Sequence, residues 1–240
     1  MTQKFNAEVC LTPLLAENYP ATGRLVVIID ILRATSCWVT ALHNGAAAIH
    51  PVSTLAACKA WMEKGYIGAA ERQGVKPEGF DLGNSPFEYT RKKIGGRKIA
   101  VTTTNGSRAI ESFKGGEVII GSFLNISAVT NYIKRNAQNV LFVCAGWEGN
   151  ISPEDMIFAG AILEQLGSVI GSMDDAAVIA LNSWKNNKPE FRAWLRQTSH
   201  VQRLLKLGLA KDIEYCFSLD LFPGVPLLSG REIIMTLIIS

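Results

Sequence analysis

The stretch Leu25 to Thr35, LVVIIDILRAT, decides how this chain is read. Five apolar residues in a row, four of them β-branched, lead into Asp30, and Arg33 and Thr35 follow after one short apolar step. A continuous apolar run of this length fits a strand buried on both faces, as in a parallel sheet. An acid at the carboxyl end of such a strand stands where open α/β sheets bind ligands. Asp30 also suits the cap of the following helix, so on its own it carries two readings.

Working outward, the same pattern recurs. Tyr66 to Ala70 runs into Glu71 and Arg72, Lys98 to Val101 into Thr102 to Arg108, and Val140 to Val143 into Cys144-Ala145-Gly146. Helical spacing fills the intervals at Thr35 to Asn44, Thr54 to Lys64, Ile126 to Arg135 and Met156 to Leu166. Phe5 to Cys10 alternates as a partly exposed strand does. Gln73 to Asn84 is a Gly- and Pro-rich loop, long enough to be functional. Ser85, Pro86 and Glu88 then fit the N-cap, N1 and N3 positions of a capping box. From Asp174 the pattern changes to four helices, over about residues 174–217, with no strand between them. Glu232 to Ile238 suits either a strand or a helix. The expectation is an α/β fold with a mostly parallel central sheet and a helical C-terminal section, in one domain over residues 1–240.

Composition narrows the class. With 48% apolar and 19% charged residues the chain is an ordinary globular sequence rather than a disordered one. A net charge of +3, with Lys and Arg scattered apart from Arg91 to Lys93, gives no nucleic-acid stripe. Five separated cysteines with no CxxC or Cys/His spacing fit neither a disulfide framework nor a zinc site. The start lacks a signal-peptide layout and no apolar run reaches spanning length, so a cytoplasmic protein with no membrane partner is expected.

If the strands are parallel, their carboxyl ends share one edge and the polar clusters converge there. Asp30, Glu71, Glu154 and Asp155 are hard oxygen ligands of the kind that Mg²⁺ takes, with substrate phosphate and water completing its shell. Arg33, Arg72 and Arg108 offer forked donors to phosphate or carboxylate. Thr103 to Ser107 is a small-residue turn into a helix, where backbone N–H groups favour an anion. The combination points to metal-assisted chemistry on a small acidic, phosphorylated substrate. There is no P-loop and no GxGxxG after a strand. Leu32 occupies the position where a haloacid-dehalogenase phosphatase needs its second Asp.

Taken together, DILRATS (Asp30 to Ser36), AAERQG (Ala69 to Gly74), FDLGNSP (Phe80 to Pro86), TTTNGSR (Thr102 to Arg108), CAG (Cys144 to Gly146) and PEDMIFAG (Pro153 to Gly160) resemble the 2-phosphosulfolactate phosphatase family. The likeness runs in order from about residue 5 to 230 and includes the tail DIEYCFSLDLFPGVP. Ser107 departs from the family's usual Thr but keeps a hydroxyl. The resemblance implies a three-layer α/β/α fold and a Mg²⁺-dependent phosphatase that converts 2-phospho-3-sulfolactate to 3-sulfolactate and phosphate, a step toward coenzyme M. It implies Asp30, Glu71 and Asp155 as catalytic or metal-binding carboxylates, with Glu154 beside them. Arg33, Arg72, Asn84, Ser85, Thr104, Asn105, Gly106, Ser107, Arg108 and Cys144 are expected around the substrate.

Two rivals share these residues. Cys144, after a strand and before Ala-Gly, has the layout of a nucleophile elbow, and a cysteine hydrolase would need His43, His50 or His200 as its base. A non-enzymatic sensor of acidic metabolites would bind at the same rim without turnover. Apolar surface on the late helices makes a homodimer an expectation as well.

Overall fold

The computed structural model describes residues 4–103, 106, 109, 110, 113, 115–136 and 138–237. Its strands are β1 Phe5–Cys10, β2 Leu25–Ile29, β3 Ala48–Pro51, β4 Ile67–Ala70, β5 Lys98–Thr102, β6 Glu117–Gly121, β7 Val140–Cys144, β8 Ile170–Met173, β9 Gly224–Ser229 and β10 Glu232–Leu237. They form one sheet in the order β4-β5-β3-β10-β9-β6-β2-β7-β1-β8.

β2 lies inside this sheet, paired in parallel with β6 on one side and β7 on the other. Its side chains alternate between two cores. Leu25, Val27 and Ile29 pack on one face with the helices Ile126–Asn136, Pro153–Leu166 and Asp175–Asn187. Val26 and Ile28 pack on the other face with the helix Ala34–His43. All five are fully buried, each contributing about 1.5–3 kcal/mol of transfer free energy. Helices on both faces of a mostly parallel sheet make the three-layer α/β/α architecture. On the first face Gly160 lets two helices touch, because a Cβ there would stand 2.1 Å from the Ala180 carbonyl oxygen.

The sheet is not parallel throughout. β9 and β10 form a hairpin, with Ser229 opposite Glu232 and Gly230 at φ +63 in the two-residue turn. The hairpin enters mid-sheet, antiparallel to β6 through Ile119 and Leu227 and antiparallel to β3 through Ile233 and Ile49. In a flat sheet this would send the ends of β4 and β5 to the edge opposite the end of β2. Asp30 after β2, Glu71 after β4 and Thr103 after β5 nevertheless line one cavity, so the site is assembled across a mixed sheet and not along one parallel edge.

The late section follows the sequence reading as helices Asp175–Asn187, Phe191–Leu195, Ser199–Lys206 and Ala210–Cys216. Asp174 caps the first by accepting the Ala177 N–H at 2.9 Å. Two details differ. The half-exposed Ile170–Met173 is an added edge strand beside β1. The segment from Glu232 is a strand to Leu237, and Ile238 lies outside the described residues. Among the described residues no helix is long and apolar enough to cross a membrane.

Candidate active site

Asp30 stands one residue beyond β2, at the carboxyl end of the strand as the sequence placed it. Its Oδ1 accepts the Ala34 N–H at 3.2 Å, capping the helix Ala34–His43. Thr35 Oγ1 closes the turn by accepting the Asp30 N–H at 3.1 Å and donating to the Asp30 carbonyl at 2.9 Å. The side chain also lines a small cavity of about 60 Å³ with Arg33, Glu71, Asn84, Thr103 and Trp147. Burial pushes the Asp30 carboxyl up to about 6. The Ala34 N–H and His200 oppose that shift, and the charges of Glu71 and Glu154 add to it.

Glu71 reaches the cavity from the end of β4, where its Oε1 accepts the Gly74 N–H at 2.5 Å. Asn84 closes the Gly/Pro-rich loop, and its Oδ1 is buried with no hydrogen-bond partner. Gly106 brings the turn after β5 against Asp30. A Cβ there would stand 2.9 Å from Ala34 Cβ and 3.1 Å from Asp30 Oδ2. Thr104, Asn105, Ser107 and Arg108, expected on that turn, lie outside the described residues.

The arginines divide. Arg33 lines the cavity, but its Nη1 donates to Asp212 Oδ2 at 2.5 Å and its Nη2 to the Gly74 carbonyl at 3.1 Å. The Arg33–Asp212 pair is buried, with side chains only 3% and 7% exposed. Arg72 turns to the ends of β4 and β5, donating to the carbonyls of Glu71 and Thr102 and to Thr102 Oγ1. Ser85 Oγ donates to Asp212 Oδ1 at 3.0 Å, and Glu88 Oε2 accepts the Gly83 N–H at 3.0 Å. The expected capping box is thus absent, because each of its side chains has a competing partner. A short 3₁₀ turn, Pro86–Glu88, stands in place of a longer helix.

The second pair of acids is committed to the scaffold. Asp155 Oδ1 accepts the Ile31 N–H at 2.8 Å, and its Oδ2 the Gly146 N–H at 3.3 Å, tying the end of β2 to the end of β7. Burial, then Glu154 and Asp30, push the Asp155 carboxyl well above the usual range, while those two N–H groups pull it down. Glu154 Oε1 accepts a 2.6 Å hydrogen bond from His200 Nδ1, and its Oε2 is buried without a partner. Among the described residues no three His, Cys, Asp or Glu side chains gather to hold a metal. Asp30 and Glu71, just beyond β2 and β4, are buried carboxylates that line the cavity, with the exposed Glu148 from the loop after β7 beside them. Such a pair fits Mg²⁺ when phosphate and water supply its remaining ligands.

Cys144, the last residue of β7, is fully buried, and burial above all drives its thiol well above the ordinary value. No histidine serves it: His43 stacks on Phe222, His50 on Trp61, and His200 holds Glu154. The expected substrate contact at Cys144 and the elbow reading both fail on burial.

Three contributors come from the late helices, where sequence reasoning singled out only His200, and that as a base for Cys144. His200 and Arg203 line the cavity from Ser199–Lys206, and Asp212 neutralises Arg33 from Ala210–Cys216. The tail DIEYCFSLDLFPGVP already held Asp212, which was the one available signal.

With this geometry in place, comparison with known proteins is direct. Residues 10–231 match the sequence profile of the family described as 2-phosphosulpholactate phosphatase. A probable 2-phosphosulfolactate phosphatase of Thermotoga petrophila is 43% identical over 223 residues, covering 92% of this chain and 96% of the relative. A protein of the same description from Thermotoga maritima is equally similar over the same shares. One from Gloeobacter violaceus is 39% identical over 211 residues, covering 85% of this chain and 88% of that protein. The motifs that meet around Asp30 and the span of these matches lead to one conclusion: the chain belongs to the 2-phosphosulpholactate phosphatase family.

Proposed function

We propose that the protein is a Mg²⁺-dependent phosphatase that hydrolyses the phosphate monoester of 2-phospho-3-sulfolactate, or of a closely related 2-phospho-hydroxyacid. The observation that carries the reading is that Asp30 and Glu71, from strands six places apart, line one small cavity with Asn84 and Thr103. The relatives' printed names supply the substrate.

In this reading Asp30 and Glu71 hold the cation. Bound Mg²⁺ would supply charge neutralisation on the transferring phosphoryl group. Asn84 Oδ1, buried and unpartnered, accepts a hydrogen bond from the attacking water or from a protonated phosphate oxygen. Asp155 keeps the ends of β2 and β7 at fixed separation, so Asp30 meets the substrate without rearrangement. The water oxygen bonds to phosphorus and gives up a proton, the P–O ester bond breaks, and the leaving alkoxide takes up one proton to become the hydroxyl of 3-sulfolactate, so the water's two protons end on product and phosphate. Five unpaired, buried thiols support a cytoplasmic setting. Exposed Val178 and Ile179 on the helix Asp175–Asn187 support a homodimer, and a coenzyme M-type step completes the reading.

A phosphate-release screen over 2-phospho-hydroxyacids, with Mg²⁺ and with chelator, tests it. Mg²⁺-dependent release that is lost in Asp30→Asn and Glu71→Gln is expected. Binding without turnover would make the protein a sensor instead.

A further inference from the structure

We propose that Arg203 reads the substrate's second acidic group, a carboxylate or sulfonate beside the phosphate ester. The inference deepens the phosphatase reading and rests on it. Arg203 and His200 are three residues apart on the helix Ser199–Lys206 and share one face. Both lie on the indole of Trp147. The His200 ring stacks on it at 5.2 Å and 6°, and the Arg203 guanidinium carbon is 5.6 Å from the ring centre. All three side chains line the cavity that holds Asp30 and Glu71.

What separates Arg203 from the other arginines is what its donors are doing. Arg33 is neutralised by Asp212, and Arg72 donates to carbonyls and to Thr102. The Arg203 side chain forms no ion pair or hydrogen bond among the described residues, although the exposed Glu148 also stands on the cavity. Stacking on an aromatic face orients a guanidinium without consuming its N–H groups, so the planar fork is left for an oxyanion. Gly74 borders it: a Cβ at that position would stand in ordinary contact with the two Arg203 Nη atoms, at 3.6 and 3.7 Å, and would crowd Leu207 Cδ1 at 2.8 Å. Two ionised carboxylates already offset the charge of one divalent cation, so a dianionic phosphate together with an additional carboxylate or sulfonate calls for a cation from the late helix.

The test uses four phosphate esters: 2-phospho-3-sulfolactate, 2-phospholactate (carboxylate only), O-phosphoisethionate (sulfonate only) and isopropyl phosphate (neither). Wild type, Arg203→Met and Arg203→Lys are compared. Arg203→Met is expected to lower kcat/KM roughly 10- to 100-fold on esters carrying the group it reads, chiefly through KM. On isopropyl phosphate the change stays within about 3-fold, and Arg203→Lys recovers part of the loss. The two esters with a single additional acidic group show whether carboxylate or sulfonate is the group read. An equal loss on all four esters, or on none, overturns the proposal. If wild type hydrolyses none of them, the phosphatase reading fails separately, and calorimetric binding of 3-sulfolactate decides the role of Arg203. Binding that weakens roughly 10-fold or more in Arg203→Met sustains that role. Equal binding, or none by either protein, overturns it.

Discussion

Asp155 Oδ1 accepts the Ile31 N–H at 2.8 Å, across 124 residues of chain. Ile31 is the neighbour of Asp30, and the other Asp155 oxygen takes the Gly146 N–H beyond β7. The side chain is therefore a staple between two strand ends, and it sets where Asp30 stands.

Asp155→Asn must turn an amide N–H₂ toward one of those two N–H groups. A buried donor left unsatisfied costs about 1–3 kcal/mol. Urea denaturation should show a loss of that size, with little change in Mn²⁺ affinity, as expected of a carboxylate whose two oxygens are each taken by a backbone N–H. Unchanged stability with abolished metal binding would instead make Asp155 a ligand.

Arg33 and Asp212 form the buried ion pair that fastens the late helices to the cavity. Removing one partner leaves a buried charge, so Asp212→Ala should cost about 3–5 kcal/mol. The double variant Arg33→Met/Asp212→Leu removes both charges and should regain most of that stability. A double variant as unstable as the single one would contradict the pairing.

The thiols test the cysteine-hydrolase rival by pH. Burial pushes Cys10 and Cys58 up to about 11, Cys216 to about 12, and Cys37 and Cys144 well above the ordinary value. A raised thiol pKa means less thiolate at any lower pH, hence less nucleophile. At about pH 8 the native protein should resist iodoacetamide, and all five cysteines should react after unfolding. Fast alkylation of Cys144 with loss of phosphatase activity would revive the rival.

Gly106 has no room for a side chain between Ala34 and Asp30. Gly106→Ala should destabilise by about 1–3 kcal/mol through overpacking. Turnover should fall by more than the folded fraction does, since the displaced atoms include Asp30. A variant of normal stability and activity would mean that the turn yields without disturbing the carboxylate.

How much of this was legible in the sequence follows from how local each interaction is. LVVIIDILRAT declared a doubly covered strand because every one of its side chains is buried, and Thr54 and Asp174 declared helix starts because an N-cap bonds within three residues. The Ser85–Glu88 box misled because its competitors, Gly83 and the distant Asp212, bond those side chains first. The β9–β10 hairpin in mid-sheet was invisible, since its contacts with β3 and β6 join residues far apart in the chain. Arg203, and the place of His200 beside Asp30 rather than Cys144, were hidden for a related reason. Helical spacing says which residues share a face, but not which sheet edge that face will cover.

The central claim, that Asp30 and Glu71 form one cation and phosphate site, is tested most directly by an anomalous difference map from crystals soaked with Mn²⁺, phosphate and 3-sulfolactate. The account predicts a single manganese peak bonded to both carboxylates and to a phosphate oxygen. A peak elsewhere, with Asp30 and Glu71 left unligated, would contradict it.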